Sequence, residues 1–476
     1  MFEKKLDDAK HIVLHALAYL IPSPSRGGLG VQQGFQATCR LLAERLGLAT
    51  LGAPCKGGWV KQSAEETHPH PNLPLEGEGV FSRLLKSCFA KPCLHPLEGE
   101  EVLSFLHILQ RLLILSALSF VVPHAHAQAP QLSPVVPGKQ LQFPHDFGAH
   151  PDFRTEWWYA TGWLQTPDGK PLGFQITFFR SATDHDVRNP SAFAPRQLII
   201  AHAAISDPQV GRLLHAENSA REGFGLAYAK EGNTDVKLDD WTMTRDEQGR
   251  YRVHAPAREF TLELTLSPTQ PVLLQGKDGY SRKGPKPEQS SYYYSEPHLQ
   301  VAGSITRDGK PVAVTGSAWL DHEWSTTVLD ERALGWDWIG INLDGGAALT
   351  AFRIRGKDGS QLWAYVNVRE ADGSTTQYGP NQVKFIPHRN WRSPRTQAVY
   401  PVEMTVEVTN ENGSTQWRLL PLQDDQELDS RSSTGAVYWE GAVTVYVNEY
   451  DNEDRNKKIA GRGYLEMTGY VSALKL

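Results

Sequence analysis

Cysteine is absent beyond Cys93, and no methionine stands between Met1 and Met243. Most of the chain therefore has no disulfide framework. It can enter an oxidising compartment with its stability resting on its core. Helical periodicity is missing as well: after residue 128 no useful stretch repeats its apolar residues every three or four positions. The apolar run Leu112–Val122 is about half of the roughly 20 residues that span a bilayer. Also absent after 128 are the Gly-x-Ser-x-Gly elbow, a phosphate loop, a dinucleotide fingerprint and paired histidines at i and i+4. These absences weigh against serine hydrolases, nucleotide enzymes and zinc proteases. We expect neither cofactor nor metal. Positive charge is not in excess either; the net charge of −6 speaks against a nucleic-acid partner.

What is present divides the chain. Its 476 residues, 40% hydrophobic and 21% charged, suffice for two or three domains. Arg111, the run Leu112–Val122 and Ala125-His126-Ala127 before Gln128 have the layout of a secretory signal peptide over 102–127. Cleavage is expected near Ala127, giving a periplasmic or secreted bacterial protein. No cysteine stands at the cut to anchor a lipid. Residues 1–101 contain His-Pro-His-Pro-Asn-Leu-Pro-Leu-Glu-Gly-Glu-Gly at 68–79, echoed as His-Pro-Leu-Glu-Gly-Glu at 95–100. We read them as a spurious or disordered extension outside the folded body.

The body reads as all-β. Phe174, Ile176 and Phe178 alternate with polar residues, as do Phe260, Leu262, Leu264 and Leu266. Val402, Met404, Val406 and Val408 repeat the pattern, and so do Val443, Val445 and Val447. Period-two alternation marks half-buried strands. Asp168-Gly169, Asp308-Gly309, Asp358-Gly359, Asp372-Gly373 and Asn412-Gly413 supply hairpin turns. Gly276–Glu288 reads as a long loop, and a small helix is expected near 190–197 or 425–432. Many short strands with tight turns mean sandwich or barrel, and a barrel leaves an interior for a ligand.

Chemistry-bearing residues cluster around tryptophan. Glu156-Trp157-Trp158-Tyr159, Trp319 to Trp324 with Asp321, His322 and Glu323 between, and Trp336-Asp337-Trp338 form three groups. Such aromatics suit a pocket for a long apolar ligand. On a strand, His322 and Trp324 share one face and Asp321 and Glu323 the other. His202, in Leu-Ile-Ile-Ala-His-Ala-Ala-Ile, is a further pocket candidate. Each also has a plainer reading: a satisfied core histidine, or a carboxylate that pins a strand end. Glu156 with Arg154 reads equally well as a salt bridge.

Phe143-Pro144-His145-Asp146-Phe147-Gly148-Ala149-His150-Pro151 with Thr155-Glu156-Trp157-Trp158-Tyr159 resembles the opening of the AttH/CrtC family. Ser317-Ala318-Trp319-Leu320-Asp321-His322-Glu323-Trp324 resembles its Asp-His-x-Trp segment. Tyr438-Trp439-Glu440-Gly441-Ala442 and the run Gly463–Tyr470 match later landmarks. The resemblance implies two lipocalin-like antiparallel β-barrel domains, placed here at 140–328 and 329–476. It implies kinship with carotenoid 1,2-hydratases, with catalytic roles for His322 and Trp324. The family's acid does not align securely; Asp337 is the first candidate and Asp321 the second. Trp157, Trp158, Tyr159, His202, Trp336 and Trp338 are the expected ligand-binding residues. Two functions stay open: water addition to a C=C bond of a polyprenoid, and non-catalytic periplasmic carriage of a lipid or other apolar ligand. The partners implied are that apolar molecule, a membrane in passing, and an export system.

Overall fold

The computed structural model describes residues 131–185, 189–327, 329–411, 413–447 and 459–474, with the isolated positions 107 and 110. The signal-like segment and the N-terminal extension lie outside the described residues. From 131 onward the described chain has strands and two 3-10 turns, His145–Phe147 and Asp344–Gly346, and no α-helix. Among the described residues no helix is long and apolar enough to cross a membrane.

Thirteen strands form the first sheet: β1 (Thr155–Gln165), β2 (Pro171–Ala182), β3 (Gln197–Ser206), β4 (Leu213–Arg221), β5 (Ala227–Ala229), β6 (Asp235–Leu238), β7 (Trp241–Arg245), β8 (Tyr251–Pro256), β9 (Thr261–Ser267), β10 (Leu273–Leu274), β11 (Tyr280–Arg282), β12 (Ser290–Arg307) and β13 (Lys310–Thr327). Ten form the second: β14 (Ala333–Leu343), β15 (Ala348–Gly356), β16 (Gln361–Arg369), β17 (Thr375–Tyr378), β18 (Val383–Arg392), β19 (Val399–Asn410), β20 (Gly413–Pro421), β21 (Glu427–Ser430), β22 (Ala436–Val447) and β23 (Gly461–Met467). The first runs β4-β3-β2-β1-β13-β12-β9-β8-β7-β6-β5, and the second β17-β16-β15-β14-β23-β22-β20-β19-β18.

All pairings are antiparallel. In each sheet the two outermost strands, β4 with β5 and β17 with β18, follow each other in the chain. A short turn joins them, so each sheet curls back around its own core. Ile176, Phe178, Leu262 and Leu264 fill the first core; Val402, Met404, Val406 and Val445 fill the second. These are the inward residues of the alternating runs. The β12–β13 hairpin turns at Asp308 (φ 49°) and Gly309 (φ 71°), the pair of positive φ values that a type I′ turn requires.

Two local expectations fail. Residues 190–196 form a turn and extended chain, and 427–430 form strand β21, where a helix was expected. Gly276–Glu288 is not all loop: Tyr280–Arg282 pairs with β12. Both strands are too short to reveal themselves by period.

The described residues from 131 onward belong to one compact unit. The outer faces of β1 and β13 pack against those of β14, β15, β22 and β23 through Tyr159, Trp163, Trp319, Trp338, Phe352 and Tyr464. The Trp163 indole donates to the Gly463 carbonyl at 3.0 Å across this seam. β1 and the second half of β13 are thus buried on both faces.

Candidate functional site

The β1–β13 ribbon decides the site because its two faces look in opposite directions. Trp158 stands opposite His322 and Glu156 opposite Trp324; Trp157 stands opposite Glu323 and Tyr159 opposite Asp321. One set points into the first barrel. The other points into the seam between the sheets.

The inward set is a closed polar network. Glu156 accepts from His150 Nδ1 at 2.7 Å, His322 Nε2 at 2.8 Å, Arg180 Nε at 2.8 Å and the His150 backbone N–H at 2.9 Å. His322 Nδ1 meets the Tyr294 hydroxyl at 2.9 Å. The His150 ring stacks on Trp324, with centroids 3.7 Å apart, and His322 stacks on Trp158 at 4.6 Å. Burial pushes the Glu156 carboxyl up, but His150, His322 and Arg180 override it and hold the group well below the usual range. Burial likewise opposes charge on His150, yet Glu156 and Asp146 raise its pKa. For His322 burial wins over the pull of Glu156, and its pKa falls to about 4. A neutral His322 then donates through Nε2 to Glu156 and accepts through Nδ1 from Tyr294.

The ligand atoms of His150, Glu156 and His322 lie within 4.8 Å of one another, a donor set that zinc accepts. Each of these atoms is already hydrogen-bonded, so a cation would have to displace those bonds.

The outward set lines a cavity. Its walls are Thr155, Trp157, Tyr159, Thr177 and Phe179 from β1 and β2, with Asp321 and Glu323 from β13 and Lys283 from the segment after β11. The facing walls are Trp336, Trp338, Phe352, Ile354, Tyr438, Glu440 and Glu466 from the second sheet. The cavity volume is about 100 Å³, rising to about 780 Å³ of non-atom space when the open mouth is included. Five aromatic side chains besides two tyrosines make most of it apolar. Set among them are three carboxyls that burial discourages from ionising.

Asp321 is pushed up to about 7 by burial, against hydrogen bonds that favour its charge. Those bonds come from Tyr293 at 2.7 Å, Ser295 at 2.5 Å and the Trp319 indole at 2.6 Å. Glu466 is pushed up to about 8 by burial, and Glu440 rises well above the carboxylate range through burial and the nearby Glu466. Glu440 and Glu466 are direct cross-strand partners. Neither oxygen of Glu440 makes a well-formed hydrogen bond, and neither does the Tyr159 hydroxyl. Buried polar atoms without partners are groups that a ligand can satisfy. Lys283 Nζ sits 3.0 Å from Glu323 and 4.1 Å from the Phe352 ring centroid; burial depresses its pKa.

The expected residues therefore separate. Trp157, Tyr159, Trp336, Trp338 and Asp321 line the cavity. Trp158, His322 and Trp324 do not; they share a face, as a strand dictates, but it is the barrel interior. Asp337 turns away from the tryptophans that flank it. It is fully buried, held by Arg353 at 2.5 Å, Arg355 at 3.2 Å and the Tyr470 hydroxyl at 3.0 Å. It is no neighbour of His322. His202 stands behind the cavity wall, 2.7 Å from the Tyr438 hydroxyl. Arg154 pairs with Asp184, so the partner of Glu156 is Arg180. Sequence reasoning missed Tyr438, Glu440, Glu466 and Lys283. The first three stand in the Tyr438–Ala442 and Gly463–Tyr470 runs, whose outward positions carry tyrosine or glutamate where a surface would be expected; the seam covers them.

A family model described as AttH-like matches residues 134–470. No curated protein matches the chain. A crystal structure of a protein assigned to AttH from Nitrosomonas europaea is 60% identical, with a TM-score of 0.65, over 71% of this chain and 100% of that one. Kievitone hydratase from Nectria haematococca is similar in fold, with a TM-score of 0.54 and 14% identity over 73% of this chain and 98% of that one. With the all-β body, the two curled antiparallel sheets and a family match over most of its length, the chain belongs to the AttH-like family.

Proposed function

We propose that the protein binds an apolar, polyprenoid-type molecule in the seam cavity and adds water across one of its C=C bonds. The observation that carries this reading is Glu440, a buried carboxyl whose pKa burial and Glu466 raise well above the usual range, beside Tyr159 and Tyr438 and facing a cavity walled by tryptophan. Alkene hydration needs such an acid. Glu440 gives its proton to the less substituted carbon, and the π electrons form the new C–H bond. The tertiary cation left behind faces Trp157, Trp336 and Trp338. Cation–π attraction is worth roughly 2 kcal/mol or more when desolvated. Water adds to the cation and sheds a proton, and the Glu440 carboxylate takes up a proton again, so the acid is regenerated. Glu466 shares the charge burden of that intermediate state, and Asp321, already held by three donors, shapes the wall. The same residues bear on the kievitone hydratase likeness only as fold; at 14% identity that neighbour says nothing of substrate.

A second reading is carriage without chemistry. It draws on the seclusion of His322 and Trp324 in the barrel interior, which removes the motif histidine from the cavity. On either reading we propose action after export, in the periplasm or outside the cell, with an apolar ligand drawn from a membrane. The test is equilibrium binding of an acyclic carotenoid and of a shorter prenoid, with water addition followed on the same samples by mass spectrometry. Binding with hydration supports the enzyme; binding without it leaves the carrier. Absence of binding overturns both.

A further inference from the structure

Behind the cavity wall runs a chain of polar groups that the acid step does not use. The Tyr438 hydroxyl lies 2.7 Å from His202 Nδ1. His202 Nε2 lies 2.9 Å from Ser433 Oγ. Ser433 Oγ donates to Glu217 Oε2, which also accepts from the Ser433 backbone N–H at 3.0 Å. Tyr438 lines the cavity, His202 is fully buried, and Ser433 and Glu217, outside the cavity lining, are half-buried. The links alternate between the two halves: 202 and 217 lie in strands of the first sheet, 438 in β22 of the second and 433 in the turn before β22.

Donor bookkeeping gives the chain a direction. Ser433 has one hydroxyl proton, and Glu217 takes it. Ser433 can then only accept from His202, so His202 carries its proton on Nε2. His202 Nδ1 is left as an acceptor, and the Tyr438 hydroxyl donates to it. Every proton points outward, from the cavity to Glu217. The lone pairs of the Tyr438 oxygen are left facing the cavity, beside Glu440.

We infer that Tyr438 is the proton acceptor of the cavity, and that His202, Ser433 and Glu217 form a relay carrying that proton to solvent. The inference rests on the acid–base reading of the cavity given above. When water adds to the cation, its proton passes to the Tyr438 oxygen as Tyr438 gives its own to His202 Nδ1. His202 gives its Nε2 proton to Ser433, which passes its own to Glu217. Tyr438, His202 and Ser433 stay neutral throughout; the Glu217 carboxylate takes up the proton, and the negative charge rests on Glu440. Glu440, having given up its proton, is reprotonated from solvent through the open mouth, so the cycle balances. The groups facing His202 are Tyr438 and Ser433, with Phe179 packed on its ring at 5.2 Å and His215 near enough to disfavour a second positive charge. Burial pushes the His202 pKa down to about 3, which suits a group that exchanges protons without storing one. Tyr438 touches the ligand; His202 and Ser433 are positioning residues.

Two measurements decide it. Nitrogen-15 NMR of the whole protein should show His202 neutral at pH 7, with its proton on Nε2 and Nδ1 accepting. A proton on Nδ1, or an imidazolium, overturns the relay whether or not any substrate is found. The second uses Ser433→Ala, which cuts the relay near its outer end without touching the cavity wall, and His202→Gln as the inner cut. With an acyclic carotenoid that the wild type hydrates, each variant should lose at least tenfold in kcat with KM unchanged and show a larger solvent deuterium isotope effect. Unchanged kcat and isotope effect in Ser433→Ala overturn the relay while hydratase function stands. If the wild type hydrates nothing, the hydratase reading fails by itself, and the NMR tautomer alone decides the hydrogen-bond chain.

Discussion

Glu440 and Glu466 stand directly opposite each other on β22 and β23, with Trp338 on the far side of Glu466. Two carboxyls so placed titrate as a pair, because ionising one raises the cost of ionising the other. Burial and this repulsion hold Glu440 well above the carboxylate range and put Glu466 at about 8. The folded chain therefore holds more protons than the unfolded chain between the ordinary carboxylate value and about 8. Stability from this source is full below pH 4.5 and is lost as pH rises through 8. Thermal melting followed by circular dichroism should show a lower Tm at pH 8.5 than at pH 6. Glu466→Gln should flatten that difference; a Tm that climbs steadily from pH 6 to 8.5 would contradict the pair.

Activity should follow the same protonation. If Glu440 supplies the proton, turnover of a hydrated prenoid falls on the alkaline side. Glu440→Gln should reduce kcat at least a hundredfold. Affinity should hardly change, since the amide keeps the shape. Equal losses in affinity and kcat would assign Glu440 to binding instead.

Asp337 should behave in the opposite way. It neutralises Arg353 and Arg355 from a fully buried position. Asp337→Asn leaves two guanidinium groups short of their counter-charge, at a cost of about 3 kcal/mol. Urea unfolding should show the loss, while ligand affinity per folded molecule stays near wild type. Selective loss of turnover at unchanged stability would restore Asp337 to the site.

The His150–Glu156–His322 network should prove structural. Glu156→Gln strands Arg180 and His150 in the barrel interior, so stability should fall by about 3 kcal/mol. Trp157→Ala, on the opposite face of the same strand, should leave folding almost intact and weaken apolar ligand binding roughly tenfold, about 1.4 kcal/mol. Fluorescence titration and urea unfolding on both variants check this. If Glu156→Gln lowers affinity as much as Trp157→Ala, the two faces are coupled in a way the geometry does not predict.

Processing can be read directly. N-terminal sequencing of the exported protein should begin at or near Gln128. Recovery of residues from the first hundred on exported material would defeat the signal-peptide reading.

The sequence by itself determined the strands that have one dry and one wet face. Phe260 to Leu266 and Val402 to Val408 alternate because the barrel interior lies on one side and water on the other, and the Asp-Gly pairs turn where a positive φ is needed. It also determined that His322 and Trp324 share a face, since successive side chains on a strand point oppositely. Which face became the cavity was another matter. β1 and β13 are covered on both sides, so alternation between apolar and polar residues carries no mark of inside or outside there. The choice was made by the second sheet, which packs its Trp336, Trp338, Glu440 and Glu466 against Asp321 and Glu323 and leaves His322 to the barrel. Contacts between strands far apart in the chain, Glu440 and Glu466 against the β1–β13 ribbon above all, decide that arrangement, and with it which carboxyls lose their water. Local spacing determines a side chain's direction; only the tertiary structure decides what it meets there, because desolvation depends on everything that packs around it.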